Sequence, residues 1–93
     1  MENNNYEKCA DILKTIGHPA RIKIIETLLD HDKCVSNIWG CLELPQATVS
    51  QHLSVLRVKG IVQQERCGAR MKYSLRDRKI EEVIKLIKGL ELT

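Results

Sequence analysis

Apolar residues recur at helical spacing in five stretches of this chain and alternate at strand spacing in a sixth. Cys9, Ile12, Leu13 and Ile16 fall at i, i+3, i+4 and i+7, which predicts a first helix that begins near Tyr6 and stops at Gly17. Pro19 suits the opening turn of a second helix, whose inward side is Ile22, Ile25, Leu28 and Leu29. A charged connector, Asp30-His31-Asp32-Lys33, leads to a short helix within Cys34 to Leu42. Its inward positions are Val35, Ile38, Trp39 and Leu42, with Ser36 as candidate N-cap. A fourth helix, bracketed by Pro45 and Gly60, buries Val49, Leu53 and Leu56. The last runs from about Asp77 to Leu92 and carries Ile80, Val83, Ile84, Ile87 and Leu90 on one face, more apolar surface than a small neighbour can cover. Met1 to Asn5, polar and asparagine-rich, is predicted to fray.

Between the fourth and fifth helices the period changes from helical to twofold. Ile61 to Arg66, a turn at Cys67-Gly68-Ala69, and Arg70 to Leu75 read as a β-hairpin, because Met71, Tyr73 and Leu75 alternate with Lys72 and Ser74 and Gly68 supplies the turn. The fourth helix turns Gln46, Thr48, Ser50, Gln51 and Ser54 outward. These short side chains both donate and accept hydrogen bonds, and no acid follows until Glu65. Taken alone, that helix is a plain amphipathic helix with a solvated face. Followed by a basic hairpin, it is the second element of a helix-turn-helix with a wing, and the expected fold is mainly α with a small β-hairpin, a winged helix-turn-helix.

Composition narrows this further. A chain of 93 residues with 43% hydrophobic content makes one domain with a modest core, which a second copy would enlarge. No basic start followed by an apolar run opens the chain, so a cytoplasmic protein with no membrane partner is expected. The net charge of +3 conceals an asymmetry: Arg57 to Lys79 holds eight bases against Glu65 and Asp77, a local +6. Positive charge gathered beside a polar helix face is what phosphate contact needs, since each neutralised phosphate releases condensed counterions. Double-stranded DNA is therefore the expected partner. Gln46, Thr48, Ser50 and Gln51 are assigned to bases, Arg57, Lys59, Arg66, Arg70 and Lys72 to phosphates, and Ser54 and His52 complete the DNA-facing set. His52 falls at the helix rim, packing or touching a phosphate, and His18 reads as a turn or cap residue. Paired carboxylates, a nucleophile triad and a phosphate-cradling glycine loop are all missing from the sequence, so an enzyme is not expected. A protein-interaction module on the same scaffold is the alternative of a different class.

The runs TVSQHLSVLRVKGIV (48–62), ARMKYSL (69–75) and IGHPARI (16–22) resemble the arsenic-repressor (ArsR/SmtB) family of bacterial metal-responsive transcription factors, in order and spacing, over roughly Cys9 to Ile87. The resemblance implies a repressor that leaves an inverted-repeat operator when its effector binds. It also implies a homodimer through the first and last helices, with Ile12, Ile80, Val83, Ile84 and Ile87 at the interface. Glu43 stands where the family usually has glycine. Arsenic and cadmium sensors of the family carry a C-V-C-D-L pattern; here the matching stretch is Cys34-Val35-Ser36-Asn37-Ile38, with one thiol kept and the second replaced by Ser36. The family's other site uses acids and histidines on the last helix. Asp77 is present, but Lys79 and Leu90 occupy positions where histidines belong, so that site reads as absent.

Four cysteines in a reducing compartment point to thiols, metal ligands or redox switches rather than a disulfide framework. Cys34, expected near a helix N-terminus and beside Lys33, has the electrostatics of a partial thiolate and is the leading sensor candidate. On one continuous helix Cys41 would lie about 10 Å from it, beyond disulfide reach. By the resemblance, Cys9 could approach Cys34 of the same or the other subunit. The alternative is that Cys9 and Cys41 are small buried apolar residues, with Cys67 incidental at the wing tip. No cofactor is certain. The effector candidates are arsenite or a thiophilic divalent metal ion at Cys34, or persulfide or oxidant chemistry on the same thiol.

Overall fold

The computed structural model describes residues 3–30, 33–34 and 42–90. In chain order these form α1 (Asn3–Ile16), α2 (Pro19–Asp30), β1 (Lys33–Cys34), α3 (Gln46–Val58), β2 (Val62–Cys67), β3 (Arg70–Leu75) and α4 (Lys79–Lys88). The expected short helix, with Val35, Ser36, Ile38, Trp39 and Cys41, falls on residues outside those described, apart from Leu42, which is half-buried against the core.

The core gathers around α2. Ile24, Ile25 and Leu28 are fully buried there, and they meet Val49, Leu53 and Leu56 of α3, Ile16 of α1, Ile61, Val62 and Leu75 at the base of the hairpin, and Ile84 of α4. Pro19 opens α2 as expected, and His18 caps it: the Ala20 N–H donates to His18 Nδ1 at 3.1 Å. Ile24 belongs to this core although the periodic reading passed over it, while Ile22 and Leu29 are only half-buried.

α3 ends in a complete Schellman motif. The Gly60 N–H bonds to the Arg57 carbonyl at 3.0 Å and the Ile61 N–H to the Leu56 carbonyl at 2.9 Å, with Gly60 at φ +78°. Ile61 and Leu56 are both buried, so the motif delivers the chain into the hairpin with its apolar seal in place. Strands β2 and β3 pair antiparallel from Val62↔Leu75 to Cys67↔Arg70, which puts Cys67 in the strand and leaves a two-residue turn at Gly68-Ala69, with Gly68 at φ +66°.

The structure corrects the sequence reading in four places. β1, taken for connector and helix start, is a third strand that pairs antiparallel with β3 in the register Lys33↔Tyr73 and Cys34↔Lys72; it satisfies a β3 edge that a lone hairpin would leave open. Cys34 is thus a strand residue and not the first turn of a helix. α1 begins at Asn3, earlier than expected, and only Ile16 of its apolar stripe is buried; Ile12 is 39% and Leu13 55% exposed. α4 closes at Lys88, and Ile84, assigned above to a subunit interface, is 1% exposed inside the core, because the middle of its stripe is the part that packs on α2. Its flank stays outside, with Leu86 and Ile87 exposed, as is Leu90 just past its end.

Candidate nucleic-acid interface

α3 has two unlike sides. Val49, Leu53 and Leu56 are wholly buried, while Gln46, Ser50, Gln51, Ser54 and Arg57 are exposed; Thr48 sits half-buried on the flank. At its start Pro45 holds φ −56° and ψ 142°, and no side chain caps the terminus, so the first-turn N–H groups add positive potential where a phosphate would approach. Glu43, at φ 55°, supplies the left-handed bend before α3 that a glycine would adopt freely.

The hairpin rises from a buried base to an open tip. Val62 and Leu75 anchor it in the core, and from Gln63 outward β2 is exposed throughout. Arg66 and Arg70 are exposed near the tip, and Lys72 is half-buried, opposite Glu65 on one side and Cys34 on the other. Gln63 Nε2 donates to Ser74 Oγ at 3.3 Å and ties the strands near the base. The cations are thus carried on a ladder whose root is continuous with the end of α3.

Lys59 and His52, both of the expected DNA-facing set, have partners within the protomer. Lys59 turns its ammonium to α1, where Nζ lies 3.2 Å from Asp11 Oδ1; both groups are about half exposed, so the pair contributes at most about 1 kcal/mol. His52 turns inward. Arg21 Nε donates to its Nδ1 at 3.2 Å, and its ring lies 4.5 Å from that of His18. Burial above all, then the charges of His18 and Arg21, pushes the His52 pKa below the usual 6.5, so the ring is neutral near pH 7. Sequence reasoning missed Arg21, although its place three residues after His18, in the first turn of α2, was the available signal.

Among the described residues Cys9 and Cys67 carry free thiols. Cys9 is exposed on α1, which overturns its reading as a buried apolar residue, and Cys67 is exposed at the end of β2. Cys41 lies outside the described residues, and no group of three or more His, Cys, Asp or Glu among those described is placed to hold a metal ion. Cys9 lines an open apolar groove of about 370 Å³ between α1 and α4, together with Ile12, Leu13, Asp77, Lys79, Ile80 and Val83. Among the described residues no helix is long and apolar enough to cross a membrane.

A polar helix face held beside a cationic hairpin on a small helical core defines a winged-helix DNA-binding protein. Residues 18–64 match the family model described as bacterial regulatory protein, arsR family, and the chain belongs to that family of transcriptional regulators. It is 39% identical over 92 residues to the transcriptional repressor PagR of Bacillus anthracis, covering 98% of this chain and 92% of PagR. The PagR crystal structure superposes with a TM-score of 0.83 at 41% identity, covering 92% of this chain and 99% of that one. The transcriptional activator HlyU of Vibrio cholerae is 32% identical over 90 residues, 97% of this chain and 82% of HlyU; reduced HlyU superposes with a TM-score of 0.85 at 30% identity over 97% and 95% of the two chains. The transcriptional repressor BigR from Xylella fastidiosa superposes with a TM-score of 0.84 at 29% identity over 100% and 99%.

Proposed function

We propose that this chain is a homodimeric transcriptional repressor that binds an inverted-repeat operator through α3 and the hairpin and leaves it when a thiol-reactive effector acts at Cys34. The observation that carries the DNA-binding half is the exposed row Gln46, Ser50, Gln51 and Ser54 beside the exposed cations Arg57, Arg66 and Arg70. In this reading Gln51 and its neighbours touch base edges, and the arginines touch phosphates. Repression is favoured over activation by the likeness to PagR over nearly the whole of both chains. Dimerisation is supported by apolar surface left uncovered among the described residues: Ile12 and Leu13 of α1 with Ile80 and Val83 of α4 along the groove, and Ile87 and Leu90 exposed at and just past the end of α4. Two copies joined there present two α3 helices to half-sites about 34–36 Å apart.

Coupling to Cys34 is supported by the register Cys34↔Lys72, since a change at that strand position moves the neighbour of a hairpin cation. Only a species that binds the DNA-free state better can release the operator. Arsenite or a soft divalent metal ion is the first candidate, and persulfide or oxidant chemistry on the same thiol is the second. The test is binding to duplexes selected from a random pool, in a salt series, with Gln51→Ala and Arg70→Ala. Gln51→Ala relaxes base preference; Arg70→Ala weakens all sequences alike and lowers the salt slope by about one. Identical behaviour of the two variants refutes the assignment. Release by arsenite, cadmium or a persulfide donor from wild type but not from Cys34→Ser identifies the effector class.

A further inference from the structure

The turn between α1 and α2 brings two imidazoles and a guanidinium together at the rim of α3. Arg21 reaches both ways: Nη1 donates to the Thr15 carbonyl of α1 at 3.0 Å, and Nε donates to His52 Nδ1 of α3 at 3.2 Å. His18 Nδ1 accepts the Ala20 N–H at 3.1 Å, and the two rings lie 4.5 Å apart, tilted by 52°. A ring nitrogen that accepts a hydrogen bond carries no proton, so the His52 ring is neutral and holds its proton on Nε2. One side chain thus ties the last turn of α1, the first turn of α2 and the middle of α3, at the residue next to Gln51.

We propose that Arg21 is a positioning residue for DNA binding, which holds α3 at its working angle through the neutral His52 ring, and that protonation of that ring releases this hold and lowers DNA affinity. The proposal rests on the DNA-binding reading above. A proton taken up at His52 Nδ1 turns the acceptor into a donor that faces the Arg21 N–H, cation against cation. The charged and titratable groups that face His52 work in this direction: His18 from the turn and Arg21 from α2. Asp11 of α1 is paired with Lys59 of the α3 C-terminus. Burial and both neighbours depress the His52 pKa, so the charged ring is the disfavoured one in this arrangement.

The sign separates this idea from the ordinary one. A histidine that only touches phosphate binds DNA more tightly once protonated; here acid loosens binding. The experiment measures anisotropy of the full chain on a duplex selected from a random pool at pH 7.5, then from pH 8 to 5.5 at constant ionic strength, with circular dichroism in parallel. Wild type is expected to lose about tenfold in affinity by pH 5.5, the worth of one charge-assisted hydrogen bond, with its helical signal intact. The variant His52→Asn, whose Oδ1 accepts the same hydrogen bond and does not titrate, flattens the profile whatever its affinity at pH 7.5. Arg21→Gln binds more weakly at pH 7.5 and also loses the acid step. Affinity that rises on acidification of wild type, or an acid loss that survives in His52→Asn, overturns the proposal. Failure to select any duplex at pH 7.5 overturns the regulator reading itself.

Discussion

Gly60→Ala isolates the backbone geometry that joins the recognition helix to the hairpin. Gly60 sits at φ +78°, inside the two hydrogen bonds that close α3. A Cβ added there meets Arg76 Nη1 at 3.8 Å, an ordinary contact, so the cost is conformational and not a clash. Holding an L-residue in the left-handed region costs about 1–2 kcal/mol. Alanine returns about 0.4–1 kcal/mol by restricting the unfolded chain. The net loss is about 1 kcal/mol, which for a chain of this size lowers Tm by about 4–8 °C. Gly89→Ala is the matched comparison: Gly89 has φ −81° at the end of α4, and a Cβ there lies 3.5 Å from the Lys85 carbonyl. That exchange is expected to be neutral or slightly stabilising. Thermal and urea unfolding of both variants at one protein concentration provide the measurement, since an associating chain shifts its Tm with concentration. Equal shifts for the two would refute the left-handed argument. DNA affinity of Gly60→Ala should fall as well, because any relaxation at this joint tips the hairpin relative to α3.

Glu43→Gly tests the other left-handed residue: relief of φ 55° should raise stability by up to about 1 kcal/mol in urea unfolding, and a loss would show that the Glu43 side chain does more than tolerate the bend. Asp11→Asn frees the Lys59 ammonium; stability should drop by less than about 1 kcal/mol, while DNA affinity at low salt rises and its salt slope steepens, and weaker binding would mean that Lys59 serves only α1. Stability should also depend on pH through His52. Its folded pKa lies below the unfolded value of about 6.5, so between the two the unfolded chain binds more protons; stability is complete above about pH 6.5 and declines as acid is added through the folded pKa. His52→Asn should remove that segment of the curve, and an unchanged curve would assign it to another group.

Local order was legible wherever residues that must be neighbours in space are also neighbours in sequence. Pro45, the stripe Val49, Leu53 and Leu56, and Gly60 lie on one continuous helix, and each does what its spacing implied. The hairpin was readable for the same reason, through Gly68 and the alternation that follows it. β1 was not, because two residues carry no period and their partner strand comes about forty residues later. Apolar stripes on α1 and α4 were seen, but periodicity gives a stripe without saying what covers it. Ile84 went inward while Ile12 and Ile87 stayed out, and only the packing of α2 decides between them. The polar pairs at the site escaped most completely. Lys59 and Asp11 are 48 residues apart and Arg21 and His52 are 31 apart, and no local pattern marks either pair.

The placement of α2 bears on how a signal could travel. Its middle is locked by Ile24, Ile25 and Leu28, where displacement would open voids in a close-packed core. Its ends are held by polar contacts near the surface. At the N-terminal end Arg21 grips α3 and α1; toward the C-terminal end Glu26 pairs with Lys88 of α4, and the Leu29 carbonyl accepts from Arg78 at 3.4 Å. Exposed and part-buried polar contacts give way to water more readily than a close-packed apolar middle does. A disturbance on the α1–α4 side is therefore more easily met by pivoting α2 about its buried centre than by sliding it. Such a pivot changes first what Arg21 holds, which is the ring beside the outward face of the recognition helix.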